Sequence, residues 1–226
     1  TNNMAPTVHP RAVRFTAVGD LLLGDSPISV GFGLHSRYPG RLLAGVMEWV
    51  EPMLANRDLV LGNLESPLTR SGRGTSQWRR DQMRGDPEYA AILRQSGITA
   101  LHLANNHALQ HGKAGFEDTV SVLQESGIAC VGLRGEGPWC SKPAIFDAPG
   151  CARIGVLGYC WRPRQYGSGD VPFAEGTEAD ALADVARLRN DCDAVVVSLH
   201  WGEDFVNWPS TDEVRIGRAL IDAGVS

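Results

Sequence analysis

Five short apolar runs decide which folds are open to this chain: VRFTAV (13–18), LVLGNL (59–64), ITALHLA (98–104), ARIGVLGY (152–159) and DAVVVSL (193–199). Each is short and rich in branched side chains, as strands buried in a sheet are. Segments of helical period lie between them. RLLAGVMEWVEPMLAN (41–56) places Leu42, Val46, Trp49 and Met53 on one face, and Pro52 is expected to bend or shorten that helix. A second helix is expected from Asp86 as N-cap and Pro87 in the first turn to a stop at Gly97. AGFEDTVSVLQESG repeats apolar residues at Phe116, Val120 and Leu123, and STDEVRIGRALIDAG opens with a capping box from Ser210 to Glu213 and stops at Gly224. Alternation of this kind implies a layered α/β fold.

The bulk composition narrows the function. The chain has 226 residues, 43% hydrophobic and 21% charged, enough for a sizeable core. A net charge of −5 gives no footprint for nucleic acid, and no stretch reaches the roughly 18 apolar residues of a membrane span. Residues 1–12 read as a polar leader or expression remnant, and 13–226 as one α/β domain. Cys130, Cys140, Cys151, Cys160 and Cys192 lack CxxC spacing, so reduced thiols in a cytoplasmic protein are expected.

Chemistry-bearing residues fall where the runs end. Asp20 follows the first, Asn63 and Glu65 close the second, Asn105, Asn106 and His107 close the third, and His200 closes the last. Each alone has an ordinary explanation as a turn residue, a solvated charge or a core histidine. At four strand ends together they point to one cleft, because open α/β sheets bind ligands beyond the carboxyl ends of their strands. Asp, Glu, Asn and His are the residues of a metal-assisted hydrolase, and without metal they can act as an acid–base pair. No GxSxG nucleophile or phosphate-cradling loop is present, and the glycines of GLRGEGP (132–138) lack the strand–loop–helix setting of one. His102 and His111 read as structural. Trp201 reads as packing before it reads as a substrate platform. Arg79, Arg80 and Arg84 are a solvated basic loop or an anion-binding one. Long loops at 24–40, 66–85 and 161–176 are of the length that covers sites.

The segments VGDLLLG, DLVLGNLESPLT, LANNHALQHG, GIACVG, SLHWGED and ALIDAG, in that order, resemble the CapA-type poly-γ-glutamate synthesis proteins. That family is similar to the calcineurin-like metallophosphoesterases. The resemblance implies a layered α/β/β/α fold and a divalent metal (Mn, Zn or Fe) held by Asp20, Glu65, Asn106 and His200. It implies a proton-donating role for His107. Catalytic roles are expected for Asp20 and Glu65 as well, and Asn63, Asn105, Trp201, Arg79 and Arg84 are expected toward substrate. Three departures stand out. Leu22 replaces the second histidine of Asp-x-His, and Gln110 and His111 stand where the family has Asp and Tyr. The chain also ends at Ser226, before an expected Gly-His-His-Pro-His motif, so a further strand with one or two ligands is expected beyond it. The implied function is metal-assisted or acid–base chemistry on a peptide or poly-γ-glutamate chain. The alternatives are a peptide epimerase and a non-catalytic capsule-synthesis scaffold.

Overall fold

The structure, a computed structural model, describes residues 12–226 apart from 75 and 151. The expected leader, but for residue 12, and Cys151 lie outside the described residues.

Four strands, β1 (Phe15–Leu21), β2 (Leu59–Leu64), β3 (Ala100–His102) and β4 (Ala129–Val131), form one parallel sheet in the order β1-β2-β3-β4. A second sheet holds β5 (Ala144–Ala148), β6 (Ala152–Cys160) and β7 (Ala194–His200), with β5 antiparallel and β7 parallel to β6. The helices are α1 (Leu34–Arg37), α2 (Leu43–Met47), α3 (Glu51–Leu54), α4 (Gln77–Asp81), α5 (Tyr89–Gln95), α6 (Gly112–Glu125), α7 (Glu178–Leu188) and α8 (Thr211–Asp222). No helix among the described residues is long and apolar enough to cross a membrane.

The period-2 alternation of strands divides the core. Leu59 and Leu61 of β2 pack with Ile154 and Val156 of β6 between the sheets, while Val60 and Leu64 join Leu93 of α5 and Phe116 of α6. On the second sheet, Leu157 and Tyr159 pack with Val185 of α7 and Leu220 of α8. Every residue of β2 is buried, which explains why it reads as a continuous apolar run.

Three local expectations are corrected. The 41–56 segment is broken into a 3-10 turn (Gly40–Leu42), α2 and α3, with Pro52 in the first turn of α3. Its buried residues are Leu43, Met47 and Leu54, whereas Leu42, Trp49 and Met53 are exposed. The run is apolar on more than one face, so periodicity alone could not choose the buried one. Asp86 does not cap α5: its carboxylate accepts from the Gly40 N–H at 3.1 Å, and the helix starts two residues after Pro87, at Tyr89. Strand β1 is not buried but mostly exposed, because it lies at the edge of its sheet. By contrast, the Ser210–Glu213 capping box forms as expected, and a second one, Thr177 with Asp180, starts α7.

His102 is a wedge between the sheets. It is 1% exposed, its Nδ1 lies 2.7 Å from Ser198 Oγ on β7, and burial pushes its pKa down to about 3, so it is neutral. Gly132, at φ +83°, leaves room for its ring: a Cβ there would sit 2.7 Å from His102 Cδ2. Backbone strain and overpacking both oppose Gly132→Ala, so urea unfolding should show a loss of about 2–4 kcal/mol. A change below about 0.5 kcal/mol would remove this wedge from the account of the core.

Candidate active site

Register brings the site together before any side chain is considered. Asp20 pairs with Asn63 and Asn63 with His102 across the first sheet, while Cys160 pairs with His200 in the second. The β1–β2 register shifts between Ala17 and Asp20, an irregularity of the type that re-aims side chains beside active sites.

Asp20, Glu65, Asn106, His107, His200 and Trp201 line one cavity of about 600 Å³. The long loops supply other walls: Ser26 and Pro27 from the first, Met83 from the second, Arg162 and Gln165 from the third. Asp25, fully buried, braces the first loop by accepting from the Gly31 N–H at 2.6 Å and the Ser36 N–H at 3.1 Å and from the Ser36 hydroxyl. Its carbonyl accepts from the Met83 N–H at 2.7 Å, tying the first loop to the second.

Asn63 and Asn105 do not line the cavity, contrary to a substrate-binding role. They lie behind it, 8% and 0% exposed, as links in a relay of amides. The His107 N–H donates to Asn105 Oδ1 (3.1 Å), which fixes that amide. Asn105 Nδ2 then donates to Leu64 O (2.8 Å) and to Asn63 Oδ1 (3.1 Å). Asn63 Nδ2 is therefore turned to Asp20 Oδ1 (2.7 Å) and His200 Nδ1 (3.1 Å). With Nδ1 accepting, neutral His200 carries its proton on Nε2, which donates to Asn106 Oδ1 at 2.8 Å.

His107 is held by a different amide. Gln110 Oε1 lies 2.8 Å from His107 Nδ1, and Gln110 Nε2 lies 3.3 Å from Gln82 Oε1. The His107 ring lines the cavity. Gln110, in place of an acidic residue, orients this imidazole without adding charge. His111 is structural as expected, 3% exposed, with Nε2 donating to Gln82 O (2.9 Å) and Nδ1 accepting from the Arg73 N–H (2.9 Å).

The two arginines assigned to substrate stand elsewhere. Arg79 is exposed on α4, and neither it nor Arg84 lines the cavity. Arg84 is held by Asp81 Oδ1 (3.1 Å), Thr69 O (3.2 Å) and His35 Nε2 (3.0 Å), so it ties the second loop together. The cation at the site is Arg162, which donates to Gly202 O (2.6 Å) and Asp204 Oδ2 (2.9 Å). It follows β6 by two residues, the same strand-end position that exposed the other groups in the sequence. Glu203 and Asp204, also at the cavity, lie in the SLHWGED segment.

Ligand atoms of Asp20, Glu65 and His200 lie within 4.8 Å of one another. His200 Nε2 is 3.5 Å from Glu65 Oε1 and 2.8 Å from Asn106 Oδ1. A cation with bonds of about 2.0–2.2 Å holds neighbouring donors roughly 3 Å apart, so carboxylate, amide and imidazole here fit a divalent ion by spacing and donor type. His200 joins such a set only when its proton leaves Nε2, a move that the Asn63 amide opposes.

Burial, then the charges of Asp20 and Asp204, push the Glu65 carboxyl up to about 7, with Arg162 opposing. In the folded protein Glu65 therefore keeps its proton between about pH 4.5 and 7, where the unfolded chain has lost it. The stability linked to that proton is full below pH 4.5 and lost as pH rises through 7. His200, lowered chiefly by burial, titrates with the opposite sign, so the comparison must be wild type against Glu65→Gln. In chelator, wild type should lose roughly 1–3 kcal/mol relative to Glu65→Gln between pH 5 and 8 in urea titrations. Parallel pH curves for the two proteins would contradict the raised carboxyl.

The four described cysteines that could modify this chemistry are free thiols, and burial pushes Cys130 and Cys160 up to about 11, so neither is reactive near neutral pH.

Comparison with known proteins identifies the family. Residues 14–226 match the family described as bacterial capsule synthesis protein PGA_cap. The chain is 27% identical to the capsule biosynthesis protein CapA of Bacillus anthracis, over 99% of this chain and 55% of that protein. It is 25% identical to the PGA biosynthesis protein CapA of Bacillus subtilis, over 79% of this chain and 48% of the relative. A probable polyglutamine synthesis accessory protein of Mycobacterium tuberculosis is 27% identical over 74% of this chain and 47% of its own length. The chain thus spans about half the length of the curated relatives it matches. With the family match running from Arg14 to Ser226, the chain belongs to the bacterial capsule synthesis PGA_cap family, the CapA-type proteins of poly-γ-glutamate synthesis.

Proposed function

We propose that this chain is an enzyme acting on a peptide or poly-γ-glutamate chain through acid–base or metal-assisted chemistry at the cavity of Asp20, Glu65, Asn106, His107 and His200. The carrying observation is the convergence, from two sheets, of five groups able to move protons or hold a cation on one cavity. The names of the relatives, concerned with capsule and polyglutamate synthesis, support a chain-like substrate. An α/β/β/α calcineurin-like arrangement accords with the two sheets and their flanking helices.

In this reading His107 Nε2 takes a proton from the substrate or from water. Glu65, with a carboxyl near 7, and His200 Nε2–H supply one. Asp20 and Asn63 hold His200 in place. Asp20, Glu65, Asn106 and His200 would hold a divalent ion, which when bound would polarise a carbonyl and lower the pKa of water. The placement of His107 and His200 on one cavity favours a second reading, inversion at a peptide Cα, in which one group removes the proton and another returns it.

His107→Asn should lower turnover by about 10²–10⁴-fold. Because the side chain is partly solvated, stability should move by no more than roughly 1–2 kcal/mol. Mass spectrometry in D₂O separates the readings: cleavage or transfer products support the first, and deuterium at Cα without cleavage supports the second. A fully active His107→Asn would end the assignment. Calorimetric titration of Mn²⁺ or Zn²⁺ should show binding that Asp20→Asn weakens at least tenfold; equal affinity in the variant would remove Asp20 from the cation site.

A further inference from the structure

One cation stands on the wall of the candidate active cavity: among the described residues that line it, Arg162 is the only lysine or arginine. Its backbone is fixed by the ends of two strands. The Trp161 N–H donates to His200 O at 2.9 Å, and the Trp161 ring packs against Tyr159 and Trp201, with centroids 6.0 and 5.7 Å away. The guanidinium is fixed as well. Its Nη1 donates to Gly202 O at 2.6 Å, and the side chain is only 15% exposed. A neutral carbonyl therefore sets the aim of the group without using its charge.

The other edge of the guanidinium is half used. Nε–H and Nη2–H form a parallel pair that matches the two oxygens of a carboxylate. Here Nη2 donates to Asp204 Oδ2 at 2.9 Å, and Nε has no partner among the described residues. Asp204 lines the same cavity, is exposed, and takes no other hydrogen bond among the described residues. An ion pair made by one contact to an exposed carboxylate is weak. A substrate carboxylate that took both N–H groups would replace it at little cost. Because one carboxylate replaces another at the guanidinium, the arriving anion is paired there rather than left against Asp20 and Glu65.

We infer that Arg162 is the carboxylate anchor of the active cavity, and that Asp204 occupies it in the substrate-free protein and gives way to a carboxylate of the incoming chain. Two sources share that chemistry: the α-carboxylate carried by every residue of a γ-linked glutamate chain, and the C-terminal carboxylate of an α-linked peptide. The inference rests on the proposed reading of this cavity as the site for such a chain, and it names the group by which the chain is held.

Calorimetric titrations with four probes test it. They are a γ-linked glutamate hexamer, the same hexamer with each α-carboxylate replaced by a carboxamide, and an acetylated alanine hexapeptide ending in a carboxylate or in an amide. One carboxylate probe should bind about tenfold or more tightly than its amide counterpart, and the pair that shows this preference identifies the source. Arg162→Gln should abolish the preference, and Arg162→Lys should keep only part of it, since an ammonium lacks the planar fork. Asp204→Asn should act in the opposite direction, tightening the preferred probe about two- to fivefold, a gain that misfolding cannot produce. Glu203→Gln removes the same charge from the same cavity wall and measures the through-space share of that gain. The Asp204→Asn gain should exceed that share, and should fall to it when residue 162 is also changed to Gln. Equal affinity for carboxylate and amide probes, or binding of none of the four, overturns the anchor. So does an Asp204→Asn variant no tighter than Glu203→Gln. A lower melting temperature in Arg162→Gln with unaltered affinities marks an ordinary structural ion pair and overturns it too. Turnover scores the catalytic reading separately: an Arg162-dependent carboxylate preference without chemistry on any probe sustains the anchor and sinks the reading. Turnover lost in His107→Asn with no carboxylate preference does the reverse.

Discussion

One amide, that of Asn63, holds the two sheets in a working relation. Its oxygen accepts a hydrogen bond from the Asn105 amide, and its nitrogen donates to Asp20 of β1 and His200 of β7. Because Asn105 is itself fixed by the backbone of His107, the orientation of each group follows from the one before it. The relay is buried, so a reversed amide would leave donors facing donors, at a cost of about 1–3 kcal/mol for each unsatisfied group. The proton position on His200, and hence its role as donor or ligand, is inherited from a peptide N–H two residues past Asn105.

Around that relay, the site balances opposed electrostatic demands. Burial, then the charges of Asp20 and Asp204, make Glu65 resist ionising, yet Arg162 is drawn in to pair with Asp204. His200 resists protonation because it is buried. A neutral acid and a neutral imidazole N–H thus stand side by side, and the same crowding of carboxyls draws in a cation.

Much of this could be read in advance. The five strands, the capping box at Ser210 and the stop glycines Gly97 and Gly224 follow from local steric and hydrogen-bonding preferences, which operate within a few residues. Strands β4 and β5 are three and five residues long and gain their identity from pairing with distant partners, so they carry little local signal. The buried face of the 41–56 segment was misread because apolar side chains surround it and only the position of α5 and the first sheet selects Leu43, Met47 and Leu54. Arg84 and Arg79 could not be distinguished from Arg162 by residue type. What separates them is that Arg84 finds Asp81 and Thr69 within its own loop, whereas Arg162 stands at the end of β6.

The sequence by itself determined which residues could do chemistry, because strand ends are marked by where apolar runs stop and polar residues begin. It also determined the family, since those motifs recur in order along the chain. Only the tertiary structure decided where they stand: Asn63 and Asn105 behind the cavity, Asn106 and His107 on it, and the Asn63 amide turned to His200. The physical reason is that a hydrogen bond's direction depends on what stands on its far side. For Asn63, Asn106 and His200 the far side is supplied by residues from 43 to 137 positions away, which no local pattern specifies.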